Sequence, residues 1–257
     1  MTAIFKAYFI KCITNLHAGS GDAAAGIIDK MVQRDPVTHY PTINASSLKG
    51  GLREHFEGKW GKGDERVSKI FGKETGDTET GTHRFLNADL ISLPVRCTHK
   101  QYVLSFDKKL VGLVNGKVAN ILGAGKKIFK LTVEENANNI YGTAAQAYAE
   151  DFALQPKAFI NPFAMVTGLI EEQFATFTNS NFESLVKNLP VIARNSVGEN
   201  KNLWYEEIVP HQTIFITFIG TARASKEFDA ALETDLIQIG ANASVGYGLC
   251  KFIPITL

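Results

Sequence analysis

Short stretches that alternate like strands are interleaved with helix-like stretches and with long glycine- and charge-rich excursions, and this interleaving is what most limits the fold. Residues 4–14 mix Phe5, Ala7, Phe9 and Cys12 with Lys6, Tyr8 and Lys11 at strand period. Residues 84–95, 102–106, 128–133, 213–219 and 249–255 read as further strands. Asn44, Ser46 and Ser47 offer N-cap hydroxyl and amide groups for a helix carrying Leu48, Leu52 and Phe56 at four-residue spacing. A second helix is expected over 107–122, weakened by Gly112 and Gly116, a short one over 181–189, and another over 226–236. Residues 60–83 read as an excursion and 135–165 as irregular or inserted, while a Gly198-Glu199-Asn200 turn within 191–207 could close a hairpin. Mixed strands and helices with long insertions predict an α+β fold. With 257 residues and 45% hydrophobic content, the chain can bury a full core as a single domain.

Charge and cysteine content set further limits. The chain has 27 basic and 26 acidic residues, a net charge of +1, so any nucleic-acid surface must be local. Cys12, Cys97 and Cys250 form no CxxC pair, which fits a reducing compartment and offers no thiolate zinc site. The apolar N-terminal stretch is broken by Lys6 and Lys11, and no run approaches the roughly 18 apolar residues of a membrane span, so the chain reads as cytoplasmic with no membrane partner. His39, His55, His83, His99 and His211 lack metal-ligand spacing. No repeat of fixed period appears, nor any catalytic triad.

Three segments carry the chemistry that remains. His17-Ala-Gly19-Ser20-Gly21, followed by Asp29 and by Gln33-Arg34-Asp35, could bring backbone N–H groups close to an anion. Its spacing misses the dinucleotide fingerprint, and on glycine content an ordinary turn explains it equally well. Ser47-Leu48-Lys49-Gly50-Gly51-Leu52-Arg53 sets Lys49 and Arg53 four apart on a helix, where hydroxyls, N–H groups and two cations suit a nucleic-acid backbone. The two glycines each cost that helix about 1 kcal/mol relative to Ala, so something should need the close approach. A solvated basic face is the alternative. Gly240-Ala-Asn-Ala-Ser244-Val-Gly246-Tyr-Gly248 is a glycine-rich loop before the last strand, and it is not a Walker loop because no GK[ST] follows.

Taken in order, these segments resemble the RAMP superfamily of CRISPR proteins, and within it the backbone subunit of Cmr-type (type III-B) effector complexes. The resemblance also takes in Ile70-Phe71-Gly72, Asp89 with Leu93-Pro94-Val95-Arg96, and Leu203-Trp204-Tyr205-Glu206-Glu207 with Pro210, so it spans most of the chain. It implies an RRM-like (ferredoxin-like) core with a protruding β-hairpin thumb, expected within 165–202. It implies copies stacked along a CRISPR guide RNA, together with other type III effector subunits, including the large polymerase-like subunit and the small subunit. By the same resemblance, Asp29 cleaves target single-stranded RNA paired to the guide with a divalent metal, Mg²⁺ or Mn²⁺, which Asp29 would hold, and His17 supports the same loop. Expected RNA contacts are Gly19, Ser20, Gly21 and Arg34 in the first segment, and Ser47, Lys49, Gly50 and Arg53 in the second. Gly240, Ser244, Gly246 and Gly248 complete them. The chain departs from the family at Ala241, where a second glycine is usual, at Ser244 for Thr, and at Asp35 for Glu.

RNA cleavage without an added nucleophile needs the 2′-hydroxyl aligned with its own phosphate, which splaying a nucleotide provides. A carboxylate can then help remove the hydroxyl proton or hold a metal ion near the phosphate. Beside this stand a non-cleaving guide-RNA scaffold and a stand-alone RAMP endonuclease acting on precursor RNA. From the residues alone, Asp29 could equally cap a backbone or pair with Arg34.

Overall fold

The computed structural model describes residues 4–21, 27–73, 79–163, 169, 173–196, 202–222 and 225–257. The elements are, in chain order, β1 (Ile4–Cys12), β2 (Thr42–Ile43), α1 (Ala45–Trp60), α2 (Glu65–Phe71), β3 (His83–Phe85), β4 (Ala88–Arg96), β5 (Tyr102–Asp107) and α3 (Lys108–Leu122). They continue with β6 (Asn139–Tyr141), β7 (Ala147–Ala149), β8 (Phe152–Lys157), β9 (Phe174–Phe177), α4 (Asn179–Lys187), β10 (Val191–Asn195) and β11 (Leu203–Glu207). The chain closes with β12 (Ile214–Thr221), α5 (Lys226–Thr234), β13 (Leu236–Gln238), a 3₁₀ turn at Ala243–Val245 and β14 (Leu249–Ile255). This is the mixed, mostly β arrangement expected of an α+β chain. Among the described residues no helix is long and apolar enough to cross a membrane.

Contacts divide the chain into two compact units. The first comprises Met1–Asp89, Leu189–His211 and Ile216–Pro254 and holds every candidate site residue. Its strands run β13, β14, β1, β12, with β3 along β12 and β10 paired separately with β11. Helix α1 buries Leu48, Leu52 and Phe56, the three residues of the four-residue spacing. Phe56 meets Phe228 of α5 at 4.8 Å between ring centroids, and Phe71 of α2 stacks on Phe85 at 5.4 Å. The helices therefore meet in an aromatic layer of large, mostly buried rings. The second unit comprises Leu90–Asn188, Gln212–Phe215 and Ile255–Leu257, with strands in the order β4, β5, β9, β6, β8, β7.

His83 sits inside the aromatic layer, 5.0 Å from the Phe228 ring, and burial pushes its pKa below the ordinary histidine value against the opposing pull of Asp229. The folded state thus favours neutral imidazole, whereas the unfolded chain takes up the proton near pH 6.5. The contribution is complete above that pH and is lost as pH falls through it toward the folded value. Urea midpoints are expected to drop between pH 7 and pH 5, and His83→Phe should flatten that part of the profile.

Three expectations are corrected. Residues 128–133 form no strand: Ile128 and Phe129 donate their N–H groups to Asn115 Oδ1, and Lys130 N–H goes to the Pro162 carbonyl. Burial alternates past Phe129 as in a strand, with Leu131 and Val133 buried and Lys130 and Thr132 exposed, but pairing with neighbouring backbone is confined to one bridge, Phe129 to Phe163, and the Asn115 side chain takes the N–H groups of Ile128 and Phe129. The excursion at 60–83 contains α2, started by Asp64, whose carboxylate accepts the Arg66 N–H, and held by buried Val67, Ile70 and Phe71. The irregular stretch at 135–165 contains β6, β7 and β8; Asn139, Ile140 and Tyr141 are all buried, so no alternation marks the strand. The hairpin within 191–207 is present, with Val191 opposite Glu207 and Asn195 opposite Leu203. Its Gly198-Glu199-Asn200 turn lies outside the described residues, as does part of the 165–202 span expected for a thumb.

Candidate functional site

Strand β11 is the spine of the site. Asp29 and Lys30 run beside it, their N–H groups donating to the Tyr205 carbonyl at 3.0 and 3.1 Å, while Glu207 N–H donates to the Lys30 carbonyl at 2.9 Å. The Asp29 carboxylate completes the pairing by accepting the Tyr205 N–H on Oδ2 at 2.7 Å. One oxygen is fixed by backbone and the residue stays exposed, so the carboxylate is oriented without being hidden.

Arg34 pairs with Glu207: its Nη2 reaches Glu207 Oε1 at 2.5 Å, and Oε2 of the same carboxylate accepts the Val32 N–H at 3.1 Å. Glu206 is held just as firmly. Lys30 Nζ lies 3.4 Å from its Oε1, while Asn242 Nδ2 at 2.9 Å and Arg194 Nε at 2.6 Å approach its Oε2. Lys30 and Arg194 also lie over aromatic faces, Trp204 at 4.9 Å and Tyr247 at 4.5 Å. Both glutamates are only 1% exposed, and every carboxylate oxygen has a protein partner. Burying two such charges is tolerable because each is paired and hydrogen-bonded. Their work is to bind together the Asp29 segment, the β10–β11 hairpin and the loop at 240–248.

His17 is buried beneath the first glycine segment, with Nδ1 2.7 Å from the Glu207 carbonyl. A carbonyl only accepts, so Nδ1 carries the hydrogen. A Cβ on Gly19 would stand 3.1 Å from His17 Nε2, so the loop passes close over the ring. Ser20 N–H is used by the Met31 carbonyl, and Gly21 lies in open space with φ +81°.

The remaining glycines divide into two kinds. A Cβ on Gly240 would lie 2.5 Å from the His17 carbonyl oxygen, and one on Gly248 would lie 2.0 Å from that of Ile239. Gly240 docks the C-terminal loop against the first segment, where Ala241 N–H donates to the His17 carbonyl at 2.9 Å, and Gly248 closes the loop on its own start at Ile239. Gly51 is of the same kind, packed on the Gln238 carbonyl. Gly50 and Gly246 are exposed with nothing within 4 Å of an added Cβ, and Ser244 is exposed beside Gly246.

On α1, Arg53 donates to Glu57 at 2.8 Å and to the Gly72 carbonyl at 3.2 Å, tying α1 to the end of α2. Lys49 is half-buried and has no ion-pair partner among the described residues. The Asn44 side chain makes no cap bond, although Ala45 N–H is taken by Asn87. Ser47 Oγ accepts from Gln33 Nε2 at 2.8 Å, a contact to which sequence spacing gave no pointer. Among the described residues no three His, Cys, Asp or Glu side chains gather as a metal cluster.

Comparison with known proteins follows the same outline. The profile of the RAMP superfamily matches residues 9–251. The chain is 26% identical to the CRISPR system Cmr endoribonuclease Cmr4 of Pyrococcus furiosus, covering 98% of this chain and 96% of that one. It is 27% identical to the CRISPR system CMR subunit Cmr4 of Saccharolobus solfataricus, covering 96% and 95%. Among solved structures, a chain of the type III-B Cmr-beta complex in its apo state matches with a TM-score of 0.79 at 22% identity, covering 98% of both chains. Oligomeric Cmr4 from Pyrococcus furiosus gives 0.71 at 20% identity, covering 98% of this chain and 99% of that one. At such identities the structural likeness speaks for the fold. The sequence profile, running from within β1 to within β14, carries the assignment: the chain belongs to the RAMP superfamily.

Proposed function

We propose that this chain is a guide-RNA-binding subunit of a type III-B effector that stacks with copies of itself along the guide and cuts complementary RNA at Asp29. The reading rests on one observation: Asp29 is an exposed carboxylate held by backbone bonds at the edge of β11, beside buried acids that are already committed. The Pyrococcus relative is named an endoribonuclease, which agrees with this use of the carboxylate. We further infer an RRM-like core in one domain, with β10 and β11 as the base of a thumb hairpin, and the large and small subunits of the effector as partners.

The open positions Gly21, Gly50 and Gly246 leave room for a phosphate backbone to come close, and Ser244 and Lys49 offer it a hydroxyl and a cation. In the cleavage step the 2′-oxygen bonds to phosphorus and the bond from phosphorus to the 5′-oxygen breaks. Asp29 takes the 2′ proton, solvent protonates the 5′-oxygen, and His17 fixes the loop from below. One carboxylate completed by RNA phosphate oxygens and water fits the way Mg²⁺ or Mn²⁺ is held. Asp29 would hold that ion, which when bound supplies charge neutralisation at the phosphate.

The fragments upstream of each cut should end in 2′,3′-cyclic phosphate, read by end-group analysis after the assembled complex meets guide-complementary RNA. Terminal 3′-hydroxyls there would rule out 2′-hydroxyl attack. A non-cleaving scaffold is the second reading, favoured by the same 2.7 Å bond, since a capping carboxylate needs no chemistry.

A further inference from the structure

Gln33 occupies a place that its two proposed RNA-contacting neighbours share. Its backbone joins the first glycine segment to β2: Gln33 N–H donates to the Ala18 carbonyl at 2.8 Å, and Thr42 N–H donates to the Gln33 carbonyl at 3.0 Å. Its side chain is buried, and every polar group on it is used. Nε2 donates to the Gly19 carbonyl at 3.0 Å and to Ser47 Oγ at 2.8 Å, and Oε1 accepts the Asn44 N–H at 2.8 Å. One amide therefore clamps the loop at Gly19 to the opening turn of α1, whose own cap residue makes no side-chain bond.

We propose that Gln33 is a positioning residue, resting on the RNA-binding reading above: it holds the Gly19–Gly21 loop and the Ser47–Gly50 turn in one fixed relation, so that a single RNA strand meets both at once. The Gly21 and Gly50 positions are open, so each segment presents its surface outward while Gln33 works from behind. Binding to two segments already fixed avoids the ordering entropy that two loose segments would impose. No atom of Gln33 needs to touch RNA.

The test uses the full chain, oligouridylate as a sequence-neutral probe, and affinity measured across a salt series. Gln33→Glu keeps the acceptor for Asn44 but loses both donors and sets a carboxylate against the Gly19 carbonyl. It should weaken binding by about tenfold, the scale of one or two lost hydrogen bonds. Gln33→Met, nearly isosteric and neutral, removes all three bonds without a buried charge and serves if Gln33→Glu does not fold. With Gln33→Met the affinity should fall by a similar factor while the salt slope and the helical circular dichroism stay unchanged, because the cationic contacts still form once RNA is bound. Lys49→Ala, by contrast, should reduce the slope by about 0.7, the single-strand value for one phosphate contact. A salt slope that falls together with helix content would reduce Gln33 to a structural role. Wild-type affinity in Gln33→Met alongside weakened binding in Lys49→Ala would overturn the positioning role and leave the RNA surface standing. Unchanged binding in both would remove the surface itself.

Discussion

Asp29→Asn is expected to abolish target cleavage by the assembled complex while leaving RNA binding intact. The amide is isosteric, and its oxygen can still accept the Tyr205 N–H that now reaches Oδ2 at 2.7 Å, so the strand pairing beside β11 survives. What disappears is the negative charge, and with it both the proton acceptor and the single carboxylate for a metal ion. Loss of a positioned acid–base group slows such steps by about 10²–10⁴-fold. Asp29→Ala removes the anchor as well and should also loosen the segment. The pair of variants therefore separates the two uses of this carboxylate. If Asp29 only caps the backbone, Asp29→Asn cuts at the wild-type rate and Asp29→Ala alone shows a defect, in stability. If it is catalytic, regularly spaced cleavage is lost in both. Denaturing gels of end-labelled target, with binding followed on the same samples, decide the matter.

Glu207→Ala is expected to give the largest loss of stability of any single change at the site, about 3 kcal/mol in urea unfolding, because it takes the neutralising carboxylate from a guanidinium that has little water to turn to. The Glu207 side chain is 2% exposed and that of Arg34 only 16%. Its second oxygen also serves the Val32 N–H, so a buried donor is orphaned as well. Replacing both partners, Arg34→Met with Glu207→Leu, should recover the part of the loss due to the charge, since a buried pair costs much of its attraction in desolvation, while the Val32 N–H stays unpaired. Lys30→Ala is the internal contrast. Lys30 is 53% exposed and its contact with Glu206 is 3.4 Å, so its removal should change stability by less than about 1 kcal/mol, the scale of a solvated pair. Equal effects of Glu207→Ala and Lys30→Ala would contradict the burial argument.

Much of this site was legible in the sequence because its signals are local. Leu48, Leu52 and Phe56 announce a helix by spacing, and all three are buried on α1. Glycines announced close approach, and Gly51, Gly240 and Gly248 supply it, though against protein carbonyls. Spacing carries no sign of which glycine packs on protein and which faces open space. Nor does it reveal partners distant in sequence. Arg34 and Glu207 are 173 residues apart, and Asn242 reaches back 36 residues to Glu206, pairings that only the fold creates. The Asn115 side chain that replaces a strand partner for Ile128 and Phe129 left no mark on the pattern, because burial looks the same in a strand and in a tethered loop. Around Asp29 the sequence pointed to the residue but gave no hint of its bond to Tyr205.

That bond spans 176 positions of chain. A ribosome therefore releases Asp29 long before the segment that orients it, and loop closure over such a distance waits until that segment has been made. An unfinished polypeptide carries the acidic side chain with no frame around it. The proposed ability to cut RNA is thus acquired only once β11 and the loop at 240–248 have both been made, and a chain stopped before β11 is expected not to cut.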